Sequence, residues 1–488
     1  MKGKTATIFL TVTLLLIVGA ISTYTFSQPS TLKLEAEQHW ETYLKSGTCI
    51  HGSHNLFLTD VDNDNVTEAV TGGLMYTVAN GSRITLEAPL KIWSWNGQNL
   101  TLEKSHKWTG NIECVHAADA DGDGLTEILT SGYEISEEGN STALKIWNWN
   151  GEELNLKASY EGAPFDSIFV SDVNEDGAPE IIAVGRNQWS YGASSQLHVL
   201  NLQGDTLTLQ GDVECFGANI TSANSVYAYD LNKDGKIEII TAGYANTLEN
   251  SSGQLRIWHW NEEELTLEAS EEWSLVEGGY GLTIAGGVQG NTVVNNVKVG
   301  DVDGDGVSEI VTGGFAYDGE KVVAQLGIWR WDGEKLVLEK SEEWATDYLN
   351  EVKCVSLNDV DGDSRMEIVT SGIVASYGSF ATNETSPNTA QIRIWNWDGT
   401  KLTLEQSQEY TIGDGVCAWN VGTGDLDSDS AVEIVTVGCM GVNNLCDPDM
   451  RIWSITMPPP TGFIIAAVTS VAVIGVVSTY FFSKKPRQ

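Results

Sequence analysis

Asp301-Val302-Asp303-Gly304-Asp305-Gly306-Val307-Ser308-Glu309, running on into Ile310-Val311-Thr312-Gly313-Gly314, is one of seven versions of a single passage. The others open at residues 60, 119, 172, 230, 359 and 425. Loop positions 1, 3, 5 and 9 read Asp60, Asp62, Asp64, Glu68, then Asp119, Asp121, Asp123, Glu127, then Asp172, Asn174, Asp176, Glu180, and in the fourth copy Asp230, Asn232, Asp234, Glu238. After Asp301, Asp303, Asp305, Glu309 come Asp359, Asp361, Asp363, Glu367 and finally Asp425, Asp427, Asp429, Glu433. A repeat of this period means an array of supersecondary units and has to be read before any local motif.

Carboxylate or amide oxygens at four such positions converge on one point, and a hard cation such as Ca²⁺ takes six to eight oxygens. A backbone carbonyl near position 7 completes the set, giving up to seven Ca²⁺ sites. Four loops place Gly at position 6, where the chain turns sharply. The opening is shared with the EF-hand, but that motif needs its last Glu at position 12 and helices on both sides. The bland alternative is a set of acidic hairpin turns, since Asp and Gly are common turn residues.

Each loop lies within a longer unit. In the fifth copy Asn296–Gly300 leads in, Glu309–Gly314 leads out, Leu326–Trp331 follows, and Asp332-Gly333 turns into Lys335–Glu339. These are four strand-length runs, A to D, with Asn-Gly or Asp-Gly hairpin signals at Asn96, Asn150, Asp332 and Asp398. The seventh unit ends at Met450–Ser454 without a D strand, and Leu32–Glu35 at the other end of the chain supplies the missing pattern. An N-terminal strand that completes the last unit removes the unpaired edges of an open array. The expected fold is all-β: a seven-bladed β-propeller over residues 31–455 whose N-terminal strand closes the last blade.

With these motifs the chain resembles the FG-GAP or VCBS repeat propellers, related in blade design to the head of integrin α subunits; Asp301–Gly314 carries the likeness best. The resemblance implies that the calcium loops join strands A and B on a lower face while partners bind the upper face. The chain departs from the family pattern in three ways. Most units lack the Phe-Gly lead-in and Gly-Ala-Pro tail, Glu replaces the final Asp, and the sixth and seventh loops carry Ser364 and Ser430 in place of Gly.

The 488-residue chain is 41% apolar, enough for a large core, and its formal charge of −40 excludes a phosphate-binding, nucleic-acid partner. Residues 1–30 form an uncharged apolar run after Lys2 and Lys4, read as a signal peptide or signal anchor. A Pro-rich linker at 456–461 precedes a second uncharged run, 462–482, long enough to span a membrane as a helix. The basic tail at 483–488 places the C-terminus in the cytoplasm and the propeller outside the cell membrane.

The seven cysteines cannot all pair; Cys439 and Cys446 flank the B to C loop of the last unit and could bridge it, with free buried thiols as the alternative. Cys49, His51, His54, Cys114 and His116 precede A strands; they are read as packing residues, with a Zn²⁺ or copper site as the alternative. Five Ile-Trp-x-Trp pairs, beginning at Trp93, Trp147, Trp258, Trp329 and Trp395, alternate along C strands and are read as core. Trp189 and Trp419 fall outside the pattern and are candidates for a ligand surface. Asn65, Asn80, Asn99, Asn140, Asn219, Asn250 and Asn383 are weak glycosylation sequons.

No Gly-x-Ser-x-Gly elbow or His-Glu-x-x-His motif is present, and the acids are assigned to the ion loops. The reading is therefore a non-enzymatic cell-surface adhesion or ligand-binding module for an extracellular protein or glycan. Its long B to C connections, Leu74–Pro89, Glu134–Ala143, Ala245–Gly253 and Val374–Ala390, are expected as recognition loops. A polysaccharide lyase or hydrolase and a structural envelope protein are the alternatives.

Overall fold

The computed structural model describes residues 31–39, 55–79, 82–136, 139–162, 164–186, 194–215, 220–246, 251–276, 292–347, 349–375, 388–412, 415–442 and 445–456. Among them every regular element is a strand, and no helix is long and apolar enough to cross a membrane. The N-terminal signal or anchor, the 462–482 span, Cys49, His51, His54 and Trp189 lie outside the described residues. Two compact units divide the chain. Leu34–Ser454 carries the sheets; of Met1–Lys33 with Ile455–Gln488, the described part comprises only strand ends.

Repeats three and four each make a separate four-stranded antiparallel sheet in sequence order, Phe165–Ser171 to Thr206–Cys215 and Ile220–Tyr229 to Leu265–Trp273. Repeats one and two share an eight-stranded sheet because one strand, Leu100–Ala118, is both the D strand of the first and the A strand of the second. Repeats five and six are joined through one parallel pair, Val322 with Leu349. In repeat seven the order is Thr31–His39, Leu445–Thr456, Glu433–Val442, Gly415–Gly424, so the N-terminal strand does supply its fourth strand. Ser454 Oγ donates to Glu35 Oε1 at 2.6 Å, and Arg451 Nη2 lies 3.4 Å from Glu37 Oε2.

Three of the four connections expected to be loops are hairpin extensions instead. Met75–Ala79 pairs with Ser82–Trp95, Glu127–Ser136 with Gly139–Trp149, and Glu238–Asn246 with Ser251–Trp260. Their polar, turn-rich composition hides strands whose backbone pairing outlasts their apolar pattern. The interior of the fourth connection, 376–387, lies outside the described residues.

The paired tryptophans are core, and the structure gives the reason for their spacing. The first indole of each pair donates Nε1–H to a threonine on strand B: Trp93 to Thr71, Trp147 to Thr130, Trp258 to Thr241 and Trp329 to Thr312 at 3.0 Å, and Trp395 to Thr370 at 3.4 Å. Trp453 does the same with Thr436. A buried indole needs such a partner. The indoles then fill the gap to the preceding repeat. Trp147 and Trp149 pack on Val61, Val70 and Ile92 of repeat one, and Trp329 and Trp331 pack on Leu231, Ile240 and Ile257 of repeat four. Trp93 and Trp95 of repeat one meet Leu426, Val435 and Ile452 of repeat seven in the same manner.

Residues of all seven A strands line one cavity of about 310 Å³, among them Asn55, His116, Asp166, Asn224, Lys353 and Trp419. Six of the A strands carry a bulge, at Glu113, Asp166, Asn224, Asn295, Lys353 or Trp419, and all of these residues but Glu113 line that cavity. A bulge re-aims one side chain without breaking the pairing on either side of it.

Thr312→Val keeps the volume and removes the acceptor from the buried Trp329 indole. It is expected to cost about 1–3 kcal/mol of unfolding free energy, the penalty for a stranded buried donor. Chemical denaturation checks this; an unchanged midpoint contradicts the assignment.

Candidate metal centres

All seven loops use one internal wiring. The position 9 glutamate opens strand B and is buried in every copy, from Glu309 and Glu367 at 0% exposure to Glu433 at 5%. Its Oε2 accepts the backbone N–H of position 2, as in Val61 to Glu68 at 2.9 Å, Val302 to Glu309 at 3.1 Å and Leu426 to Glu433 at 2.8 Å. This bond ties the loop entrance to its exit. Position 2 is itself a buried apolar plug, Val61, Ala120, Val173, Leu231, Val302, Val360 or Leu426. Its constant apolar character is the sequence signal that a reading centred on acids passes over.

The position 1 carboxylate shapes the turn, its Oδ2 accepting the N–H of position 6, as in Asn65 to Asp60 at 2.8 Å and Gly306 to Asp301 at 2.9 Å. Position 6 has positive φ throughout. Gly124, Gly177, Gly235 and Gly306 adopt this freely, whereas Asn65, Ser364 and Ser430 hold φ of 71°, 72° and 73°. Position 5 forms an Asx turn, with Asp305 Oδ1 accepting Val307 N–H at 2.7 Å and Asp64 Oδ1 accepting Val66 N–H at 2.8 Å.

The carboxylates that gather are those of positions 1, 3 and 9. Asp60, Asp62 and Glu68 have oxygens within 4.8 Å of one another, as do Asp119, Asp121 and Glu127; Asp301, Asp303 and Glu309; Asp359, Asp361 and Glu367; and Asp425, Asp427 and Glu433. The position 5 aspartates stand outside these triads, on the exposed side of the turn. In the third and fourth loops position 3 is an amide, and Asn232 Nδ2 lies 3.3 Å from Asp234 Oδ2 and 3.2 Å from Glu238 Oε1.

Such triads fit a hard cation. Asp62 Oδ1, Asp121 Oδ1 and Glu367 Oε1 are buried oxygens with no hydrogen-bond partner. A buried carboxylate oxygen without a donor carries a large desolvation cost that a coordinated cation offsets. Burial pushes the Glu68 carboxyl up to about 8, against the pull of the Val61 N–H, with Asp62 and Glu103 adding to the rise. Burial, then Asp361, pushes Glu367 up to about 8. Glu180, Glu238, Glu309 and Glu433 rise to about 7, again chiefly through burial.

Two further features complete the sites. The glycine of the C–D turn in the next repeat lies over the position 3 aspartate. A Cβ on Gly151 comes within 2.9 Å of Asp62 Oδ2, one on Gly399 within 2.7 Å of Asp303 Oδ2, and one on Gly97 within 2.6 Å of Asp427 Oδ2. The last contact joins repeat one to repeat seven. The D strands of repeats one to six also have a bulge opposite the first tryptophan position, which is Leu200 in repeat three, and the extra residue is Glu103, Lys157, Gln210, Glu268, Glu339 or Glu405. Glu103 and Glu405 act electrostatically on their loops, whereas Lys157 enters its triad directly. The repeated Leu-Glu pair on strand D was visible as part of the repeat, but its bulge was not.

Among the cavity residues Cys114 and Cys354 are buried thiols, and burial raises the Cys114 thiol to about 12 and lowers His116 to about 3. Cys114 and His116 join no metal-binding group among the described residues, and Cys49, His51 and His54 lie outside them. Cys439 is disulfide-bonded, and the side chain of Cys446 lies outside those described. Trp419 lines the cavity with Lys353 Nζ 4.4 Å from its ring centroid.

A profile for the FG-GAP-like repeat matches residues 172–241, from the first residue of the third loop to strand B of the fourth repeat, so an FG-GAP-like repeat is present there. No curated protein matches the chain.

The raised carboxyls fix the pH behaviour of the ion-free protein. Glu68 and Glu367 bind a proton more tightly in the fold, about 8, than at the ordinary 4.5 of the unfolded chain. Their contribution to stability is full below pH 4.5 and is lost as pH rises through 8. In chelator the melting temperature is expected to fall from pH 5 to pH 8.5, and Glu367→Gln is expected to flatten that slope. Saturating Ca²⁺ is expected to abolish the fall, because it favours the ionised fold. Thermal melts at matched ionic strength check this; a slope indifferent to chelator contradicts it.

Proposed function

We propose that the seven repeats close as a seven-bladed β-propeller stiffened by Ca²⁺, acting as a non-catalytic adhesion or ligand-binding module at the cell surface. The observation that carries this reading is the Gly97–Asp427 contact beneath the shared Trp93 and Trp95 core, which joins the first repeat to the last through the same parts that join its neighbours. The cavity lined by all seven A strands supports it as well.

Ca²⁺ is the proposed ion because the donors are carboxylates in loops with flexible outer positions, where Mg²⁺ demands a stricter octahedron. Asp60, Asp359, Asp425 and their partners at positions 3 and 9 are the proposed ligands. The ion loops all occupy the A–B ends of the sheets, and antiparallel pairing puts the B–C connections at the other ends. Recognition of an extracellular protein or glycan is assigned to those connections, in keeping with the FG-GAP-like repeat. The apolar run at 462–482 is proposed to anchor the module, with the propeller outside.

Deleting residues 31–39 is expected to unpair Leu445–Thr456 and drive aggregation, whereas ending the chain after residue 456 is expected to leave a soluble monomer. Equal solubility of the two argues against closure. Glycan-array and partner screening then tests the function. A short turn in place of 376–387 is expected to weaken binding by tenfold or more without changing the melting temperature. Asp361→Ala is expected to lower the melting temperature first. Binding lost only in Asp361→Ala, with the fold intact, moves recognition to the ion-loop face.

A further inference from the structure

Four of the five acidic triads, those of repeats one, two, five and six, divide into two electrostatic types. In repeat two Lys157 Nζ lies 2.5 Å from Asp121 Oδ2 and 2.9 Å from Glu127 Oε1, with the lysine side chain only 9% exposed. In repeat five Arg330 Nη2 lies 2.8 Å from Glu309 Oε1 and 3.6 Å from Asp303 Oδ2, while Nη1 reaches Asp305 Oδ2 at 3.1 Å and Nε lies 2.8 Å from Glu339 Oε1. In both cases nitrogen takes the same pair of oxygens, one from position 3 and one from position 9. That vertex is where a divalent ion gathers its ligands.

Repeats one and six present the opposite case. The bulge that delivers Lys157 in repeat two delivers Glu103 in repeat one and Glu405 in repeat six. Both glutamates raise the negative potential at their triads. The residue between the paired tryptophans, Arg330 in repeat five, is Ser94 in repeat one and Asn396 in repeat six, neither of them charged. Of the three unpartnered buried oxygens in the loops, Asp62 Oδ1 and Glu367 Oε1 belong to these two triads, and the third, Asp121 Oδ1, belongs to the carboxylate whose other oxygen Lys157 takes.

We propose that the strand D bulge residue and the residue between the paired tryptophans select which loops take a divalent ion: repeats one and six bind one, and repeats two and five hold the chain's own Lys157 and Arg330 in its place. An ammonium or guanidinium held between the position 3 and position 9 carboxylates offsets part of their charge without an ion, and displacing the largely buried Lys157 strands a charge in the interior. Loops of nearly one sequence thus serve two ends, ion-dependent rigidity in some repeats and ion-independent rigidity in others. The inference rests on the calcium reading above but makes a separate demand, on the number of ions bound.

The test is the count of Ca²⁺ bound per full-length chain, by native mass spectrometry and equilibrium dialysis. Lys157→Gln and Arg330→Gln are each expected to add one Ca²⁺, and Glu103→Lys to remove one. In chelator, Lys157→Gln is expected to melt several degrees below the wild type and to recover that loss in Ca²⁺, a readout independent of counting. Wild-type counts unchanged by Lys157→Gln and Arg330→Gln overturn the selection while leaving the calcium reading intact. A wild-type chain that binds no Ca²⁺ overturns both. Should Glu103→Lys fail to fold, Glu405→Lys asks the same question of repeat six, with an unchanged count again counting against the proposal.

Discussion

Seven buried glutamates, each with one oxygen committed to a backbone N–H and five of them gathered with two aspartates, are the constraint on which the rest depends. The committed oxygen closes the loop, fixes where strand B begins and seats an apolar plug at position 2 between two sheets. The remaining oxygen creates a concentration of negative charge that the interior cannot hold unneutralised. Neutralisation by a proton, by the chain's own cation or by a bound ion are three solutions to one problem. The protein's stability is therefore expected to respond to pH and to the ions offered at its loop face.

The same loops join the sheets. Five plugs, Val61, Val173, Leu231, Val302 and Leu426, pack with the tryptophans of the next repeat, and in three cases the next repeat's glycine turn lies over the position 3 aspartate. A change in the charge of one triad therefore acts on an interface between repeats, not on an isolated turn. The indole–threonine bonds lock the tryptophans into the rotamers that make that packing possible, and pairing within each sheet holds the threonines at the right height. Ion loop, plug and tryptophan pair form one mechanical unit repeated along the chain.

On the proposed reading, recognition falls to the far ends of the sheets. The hairpin extensions there are stiffer than free loops, because backbone pairing continues through Ser82–Trp95 and Gly139–Trp149. A stiff rim loses less conformational entropy on binding than a loose one. The cavity bounded by the A strands is polar, and its Asn side chains largely bond to neighbouring strands, as Asn224 does to the Val294 carbonyl at 2.8 Å. It is built to hold the A strands together.

What the sequence determined by itself was whatever depends on spacing along the chain. Asp, Asp or Asn, Asp and Glu at fixed intervals located the loops. Alternating apolar residues located the strands, and the missing fourth run of the last repeat pointed to Thr31–His39 as its partner. These are local patterns, legible because a strand has a period of two and a turn needs particular residues. Tertiary structure alone decided how the charges are balanced. Lys157 lies 30 residues from Glu127, and Arg330 lies 21 from Glu309, so nothing in the loops announces them. Bulges turn Lys157 and Glu103 toward their triads, and a one-residue insertion in a strand is invisible until its partner's register is known. The hairpin extensions were missed for a related reason: backbone pairing carries no side-chain signature where both faces are polar.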